Sequence, residues 1–301
     1  MADSLPWLTV KDLLWFVYLY PFRIAAATLP RGLLYALARL ADPLVQYRSR
    51  RGRAAAIARM IQAGISPADA QQAGRRFVSN AATRVLDDLM LRREGVSRIR
   101  ATVEGLEYLD EGIARGRGVL LLSAHTYASR PAKRYLAAQG YPILTVRNRQ
   151  PPDALMGRVG ARWLQPRYME FLHGVIQDEV YIQDPECSLK ILKRLRAGGI
   201  VNIHLDLDAR AVSKAEEFPF LNVPRRVASG PFDVARLTRC ALIPMFSRGR
   251  GKALFIRFGA PAPAGGLARE DFARAALPYF VEFLEERIRE HPDEWELWTR
   301  L

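Results

Sequence analysis

An α/β fold, with a mostly parallel central sheet flanked by helices and a helical N-terminal arm, is what this sequence predicts. Two observations carry that expectation. From residue 100 onward, short apolar runs alternate with segments of helical length and periodicity, the pattern of strand–helix–strand units. The first of these runs, "GVLLLSA" at 118–124, is continuously apolar, as a strand buried on both faces reads. The chain has 301 residues, 50% of them hydrophobic and 25% charged, enough for one large domain or two small ones. No internal repeat or low-complexity linker divides it. The expected organisation is a helical arm and membrane-association region over 1–100 and an α/β domain over 101–301, built as one continuous globular unit.

The elements follow in order. Residues 31–110 read as mostly helical. Within them "SPADAQQAGRRFVSNAATRVLDDLMLRRE" opens on Ser66 as N-cap and Pro67 at the first helical position. After the 118–124 strand, "RPAKRYLAAQG" predicts a helix with Pro131 at its first position and Gly140 as its stop. "YPILTVR" (141–147) is a second strand, "CSLKILKRLRAGG" (187–199) a helix closed by glycines, and "IVNIHLDLD" (200–208) a third strand. A helix over 230–240, strands at 241–249 and 253–261, and a helix to the end complete the series. "EFPFLNVPRRVASGP" (217–231) reads as a long loop with a binding role.

The formal net charge is +14, so the expected partners are anionic: nucleic acid, an acidic carrier protein, a phosphorylated cofactor or an anionic membrane. An Arg-rich stretch at 46–59 is the best support for nucleic acid, but no stacking-aromatic motif or helix-turn-helix pattern accompanies it, and no nucleic-acid partner is expected. Only Cys187 and Cys240 occur, outside any metal-type spacing, which argues against a disulfide framework or zinc site. The apolar N-terminus is interrupted by Lys11, Asp12, Arg23, Arg31 and Arg39. Its longest uncharged run, 13–22, is too short to span a bilayer, and no small-residue cleavage site marks a secretory signal. Two readings fit it: a membrane-associating arm lying in the interface, with its aromatics mixed among arginines, or a buried core helix.

His125 falls at the carboxyl end of the first strand, where open α/β sheets bind ligands. A neutral histidine there acts as a general base near pH 7; otherwise it satisfies local backbone groups. No Asp or Glu occurs from Gly112 to Pro152, while Arg115, Arg117, Arg130, Lys133, Arg134, Arg147 and Arg149 do. This run, beside a helix N-terminus, reads as an anion-attracting surface or as a solvated basic face. Asp206 and Asp208, at spacing two, point to one face of the third strand; they serve either as polar site residues or as partners of Arg210 or a nearby loop. His204, on that same face, reads as structural.

Taken together, "GVLLLSAHTYASR", "ILTVRNRQPPDALM", "RAGGIVNIHLDLDAR", "FPFLNVPRRVASGPFDVARLTRCALIPMF" and "HPDEWELWTRL", in this order, resemble the lysophospholipid acyltransferase superfamily, and within it the bacterial lipid A biosynthesis (lauroyl and myristoyl) acyltransferases. The resemblance implies transfer of an acyl chain from an acyl carrier protein or coenzyme A thioester to a hydroxyl or amine of a membrane-bound lipid acceptor. It implies no cofactor beyond that co-substrate, no metal, and a place on the cytoplasmic face of the bacterial inner membrane, peripheral or monotopic. The family's signature is His, four residues, then Asp or Glu. Its base falls on His125 and its acid on Arg130; the family glycine after "FPF-L" falls on Asn222. Arginine only donates hydrogen bonds and cannot orient an imidazole as an acid does. Three readings follow: an active enzyme whose His125 is oriented by Asp206 or Asp208; an enzyme in which Arg130 binds an anionic group of the acceptor; or a degenerate member that binds lipid or acyl carrier protein without transfer. Arg130, Arg147, Arg149, Asp206, Asp208 and Arg226 are the expected substrate-binding residues.

Overall fold

The computed structural model describes residues 6–149, 156–173, 178–206, 215–262 and 269–299. The arm is helical. Its first helix, α1 (Val10–Val17), starts in a capping box: Thr9 accepts from the Asp12 amide while Asp12 accepts from the Thr9 amide. The buried Asp12 carboxylate also receives the Gly157 amide, tying the arm to the body. A π-helical turn over Tyr18–Phe22 accommodates Pro21, and α2 (Arg23–Thr28), α3 (Arg31–Arg48) and α4 (Arg50–Gln62) follow. In α5 (Pro67–Glu94), the Ser66 side chain caps the Asp69 amide and Pro67 opens the helix, as the sequence requires.

The body is a seven-stranded sheet of order β1-β9-β8-β2-β5-β3-β4. Its strands are β1 (Arg100–Glu104), β2 (Val119–Ser123), β3 (Ile143–Arg147), β4 (Glu179–Tyr181), β5 (Ile200–His204), β8 (Ala241–Arg250) and β9 (Ala253–Phe258). All neighbours run parallel except β8 and β9, which form a hairpin. Helices α6 (Leu106–Ala114) and α7 (Ser129–Ala138) cover one face, packing on Val119 and Leu121. Helices α4, α5, α9 (Cys187–Arg196), α10 (Gly230–Thr238) and α11 (Arg269–Glu290) pack on Leu120 and Leu122 from the other. Successive β2 side chains thus enter opposite cores, which is why the run is continuously apolar. Gly118 admits this strand: its φ is +75°, and a Cβ there would meet the Leu195 carbonyl oxygen at 2.5 Å. The last described helix before the β4 edge is α8 (Gln165–His173).

Three expectations change, and the structure adds one strand that the sequence does not announce. Residues 100–104, inside the stretch expected to be mostly helical, form the edge strand β1; it is only partly buried, so its run lacks an apolar signature. The Glu179–Tyr181 strand β4 is too short to show a periodicity. The expected loop at 217–231 is mostly a hairpin of β6 (Ala215–Phe220) and β7 (Val223–Ala228). Leu221 and Asn222 make its two-residue turn with φ of 52° and 61°. Positive φ at both positions is what such a turn demands, and Asn tolerates it in place of glycine. Finally, the terminal helix stops at Glu290, and 292–299 form two short 3-10 turns, Pro292–Glu294 and Glu296–Thr299.

Candidate active site

β2 and β5 are neighbours in the middle of the sheet, and Ser123 is level with His204. Two residues further, past the carboxyl ends of both strands, His125 and Asp206 meet. His125 Nδ1 lies 2.7 Å from Asp206 Oδ1, and the His125 amide donates to Oδ2 at 2.6 Å. The Trp295 indole Nε1 donates to the same Oδ2 at 2.6 Å. The Asp206 side chain is fully buried, while that of His125 is 26% exposed. The arrangement fixes the tautomer: an ionised carboxylate only accepts, so Nδ1 carries the proton and the Nε2 lone pair is free to take another. Burial alone would raise the Asp206 carboxyl. The His125 charge and the hydrogen bonds from His125 and Trp295 outweigh it and hold the group below the usual carboxylate range.

The tail after α11 builds the rest of the frame. Glu296 donates its amide to the His125 carbonyl at 2.8 Å, Tyr127 donates to the Glu294 carbonyl at 3.1 Å, and Thr126 bridges Trp295. Trp295 and Trp298 are fully buried, stacked edge to face at 4.8 Å. The Glu296 carboxylate is itself paired with Arg84 of α5. Neither the indole donor nor this lacing was visible in the sequence, where the tail read as helix and its tryptophans as a family mark.

The remaining candidate residues separate. Arg130, at the position of the motif acid, spends its guanidinium on Asp88 of α5 at 2.5 Å; the side chains are 19% and 6% exposed. Arg147 binds both oxygens of Glu179 on β4, at 2.8 and 3.0 Å. Arg149 pairs with Asp184 and lies over the Tyr181 ring. Three cations of the run that lacks acids along the chain thus meet carboxylates from other elements in space. Arg226 stands exposed on β7, opposite Glu217 in the hairpin. Asp208 lies outside the described residues, as does Arg210.

His125, His204 and Asp206 place one ligand-type atom each within 4.8 Å of one another. Both His204 nitrogens are already hydrogen-bonded, Nδ1 to Ser123 at 3.0 Å and Nε2 to the Lys133 amine at 3.3 Å. A cation donor facing Nε2 is the opposite of what a metal cage needs. What the group presents is an imidazole with Nε2 turned away from the carboxylate that holds Nδ1, and that carboxylate is ionised. Chemically, such a pair is able to take a proton from a nucleophile.

A family model described as "Bacterial lipid A biosynthesis acyltransferase" matches residues 71–301. Among solved structures, the crystal structure of the 1-acyl-sn-glycerophosphate (LPA) acyltransferase PlsC from Thermotoga maritima is similar at 12% identity, with a TM-score of 0.39, over 95% of this chain and 98% of that one. No curated protein matches the chain.

Two outcomes follow from this geometry. The ionised Asp206 contributes stability that is complete above its unfolded range, about pH 4, and is lost as pH falls through its lower folded-state value. Trp295→Phe removes one donor, costs about 1.5–3 kcal/mol in urea unfolding at pH 7, and the gap from wild type narrows below about pH 4. A gap constant from pH 7 to 3 would assign the indole to packing alone. Arg130→Ala strands Asp88 and should cost about 3–5 kcal/mol, with Asp88→Ala in the same chain recovering part of it. If Arg130→Ala is neutral in stability and instead raises the acceptor KM, the arginine is an acceptor anchor.

Proposed function

Because the chain belongs to the bacterial lipid A biosynthesis acyltransferase family, we propose that it transfers a fatty acyl group from an acyl carrier protein or coenzyme A thioester to a hydroxyl or amine of a lipid-type acceptor, with His125 as general base and Asp206 as its orienting acid. The observation that carries this reading is the 2.7 Å contact between His125 Nδ1 and a buried carboxylate. It supplies from β5 what the signature position lacks. Nε2 takes the acceptor's proton as the oxygen or nitrogen attacks the thioester carbonyl. The tetrahedral intermediate then collapses, the carbon–sulfur bond breaks, and the imidazolium returns the proton to the departing thiolate. Asp206 holds the ring in the tautomer that exposes Nε2 and stabilises the imidazolium between the two steps.

The arm supports a place on an anionic membrane surface. Among the described residues no helix is long and apolar enough to cross a membrane. Leu33, Leu37, Leu40, Leu44 and Tyr47 lie exposed along α3 at spacings of four and three, one continuous stripe. Trp7, Val10, Leu13 and Leu14 are exposed around α1. Residues 1–62 carry nine Lys and Arg against three Asp and no Glu. Asp12 and Asp42 are both committed, to Gly157 and Ser79. Apolar area to bury and cations to pair suit anionic headgroups over acyl chains.

Two measurements test the reading. His125→Ala and Asp206→Asn should each lower turnover by roughly 10²–10⁴ with acyl thioester and a total lipid extract, read by mass spectrometry of new acyl products. No product with wild-type protein, for either thioester and any lipid in the extract, would place the chain among members that bind without transferring. For the surface, Leu37→Glu with Leu40→Glu should cut binding to anionic vesicles at least about tenfold, since each leucine buried is worth roughly 1.5–3 kcal/mol. Unchanged sedimentation with such vesicles would show that α3 does not enter the bilayer.

A further inference from the structure

Among the described residues, one buried cation has no carboxylate among its hydrogen-bond partners. Lys133 of α7 is 6% exposed, yet its amine faces Asn202 Oδ1 at 3.4 Å and His204 Nε2 at 3.3 Å. The His204 ring lies against that of His125, centroids 4.0 Å apart and tilted by 33°. Its Nδ1 is 3.0 Å from Ser123 Oγ, and Asn202 Nδ2 donates to that same oxygen at 2.8 Å. A lysine placed this deep, on a ring that touches the catalytic imidazole, invites the question of what it sets.

The directions of the hydrogen bonds can be deduced. An ammonium only donates, so His204 Nε2 accepts and Asn202 Oδ1 accepts. A neutral ring that accepts at Nε2 carries its proton on Nδ1, and that N–H donates to Ser123 Oγ. Asn202, its oxygen turned to the lysine, presents its amide hydrogens to Ser123 and to the Leu121 carbonyl. With Lys133 an ammonium, and with the Ser129 hydroxyl 3.5 Å from the same Nε2 able to donate to it, the wiring fits the neutral Nδ1–H form of His204. Protonating it would set a donor against the lysine's donors.

We propose that Lys133 and His204 are positioning residues for His125: Lys133 locks His204 as a neutral Nδ1–H imidazole, which offers an uncharged π face to the imidazolium formed on His125 during turnover. This rests on the reading of His125 as the base. A cation is attracted by an aromatic face, whereas a second imidazolium at this separation would repel the first. Asp206 answers the charge at the edge of the His125 ring, and His204 answers it at the face. The surrounding charges agree. Burial, then His125 and Lys133, hold His204 well below the ordinary histidine range, Arg147 adding to the effect. Burial, then Arg130 and Arg147, lower Lys133 to about 7, with Glu179 and Glu296 opposing, so the ammonium that sets the lock is the form present below that pH.

The test reads His204 directly. In the full chain labelled with 15N-histidine, long-range proton–nitrogen spectra at about pH 6, where Lys133 is an ammonium, should show His204, identified by loss of its signals in His204→Phe, with Nδ1 protonated and Nε2 bare. Lys133→Met should give a mixture of tautomers. Its kcat/KM profile should lose its acid side about one pH unit higher, since His204 protonates more readily without the cation and then repels an imidazolium on His125. His204→Phe keeps a π face and should retain turnover within about fivefold, whereas His204→Ala should lose about tenfold more. His204 found as Nε2–H or as imidazolium in the wild-type protein overturns the lock, even where Lys133→Met does not fold. Equal turnover for the Phe and Ala variants overturns the stacking role. Full activity in His125→Ala would instead overturn the assignment of the base, while leaving the tautomer result standing.

Discussion

The carboxylate of Asp206 is where the separate parts of this molecule meet. Taking an ion of that size out of water costs several kcal/mol unless its lone pairs are filled. Here three donors fill them: the His125 ring, the His125 amide and the Trp295 indole. The first two lie past the end of β2, the acceptor lies past the end of β5, and the third donor belongs to the tail. The adjacency of β2 and β5, the depth of Trp295 and the backbone contacts of Glu294 and Glu296 are all conditions for keeping that charge ionised. The site is therefore a property of the tertiary fold and not of any short motif.

That explains what could be read from the sequence and what could not. The continuous apolar run of β2 and the Ser66-Pro67 start of α5 are local signals, and both appear where the sequence puts them. Asp206 could be named because spacing alone puts acids at a strand end. Choosing it over other ways of replacing the missing acid required knowing that β5, and not β3, lies beside β2. The chain reaches β3 first and returns to insert β5 between them, a crossover that no local pattern records. The partners of the arginines were hidden for the same reason. Asp88 of α5 and Glu179 of β4 are 42 and 32 residues from the arginines they neutralise. The β6–β7 hairpin was hidden differently: its prolines and arginines read as loop, while its turn depends on Leu221 and Asn222 taking positive φ.

The +14 charge of the chain is distributed unevenly in purpose. In the body, arginines near the site are consumed by ion pairs that brace α7 against α5 and close the β3–β4 edge. In the arm, cations outnumber carboxylates and accompany exposed leucines. A single composition thus supplies internal bracing around an imidazole in the body and an excess of cations beside exposed leucines in the arm. Only the three-dimensional pairing tells which arginine does which.

The register of the sheet also bears on how the chain assembles. Val119 of β2 lies beside Ile200 on one side and Ala241 on the other, and Arg100 of β1 beside Ala253. Closing loops of this length costs conformational entropy before any contact rewards it, so folding of such sheets is slow compared with helix formation. The helices of the arm and α5 need only local contacts. A chain can therefore hold most of its helix while β2 still lacks both neighbours and Asp206 has met neither of its partners. Helical circular dichroism would count such molecules as native although the contact between His125 and Asp206 had not yet formed.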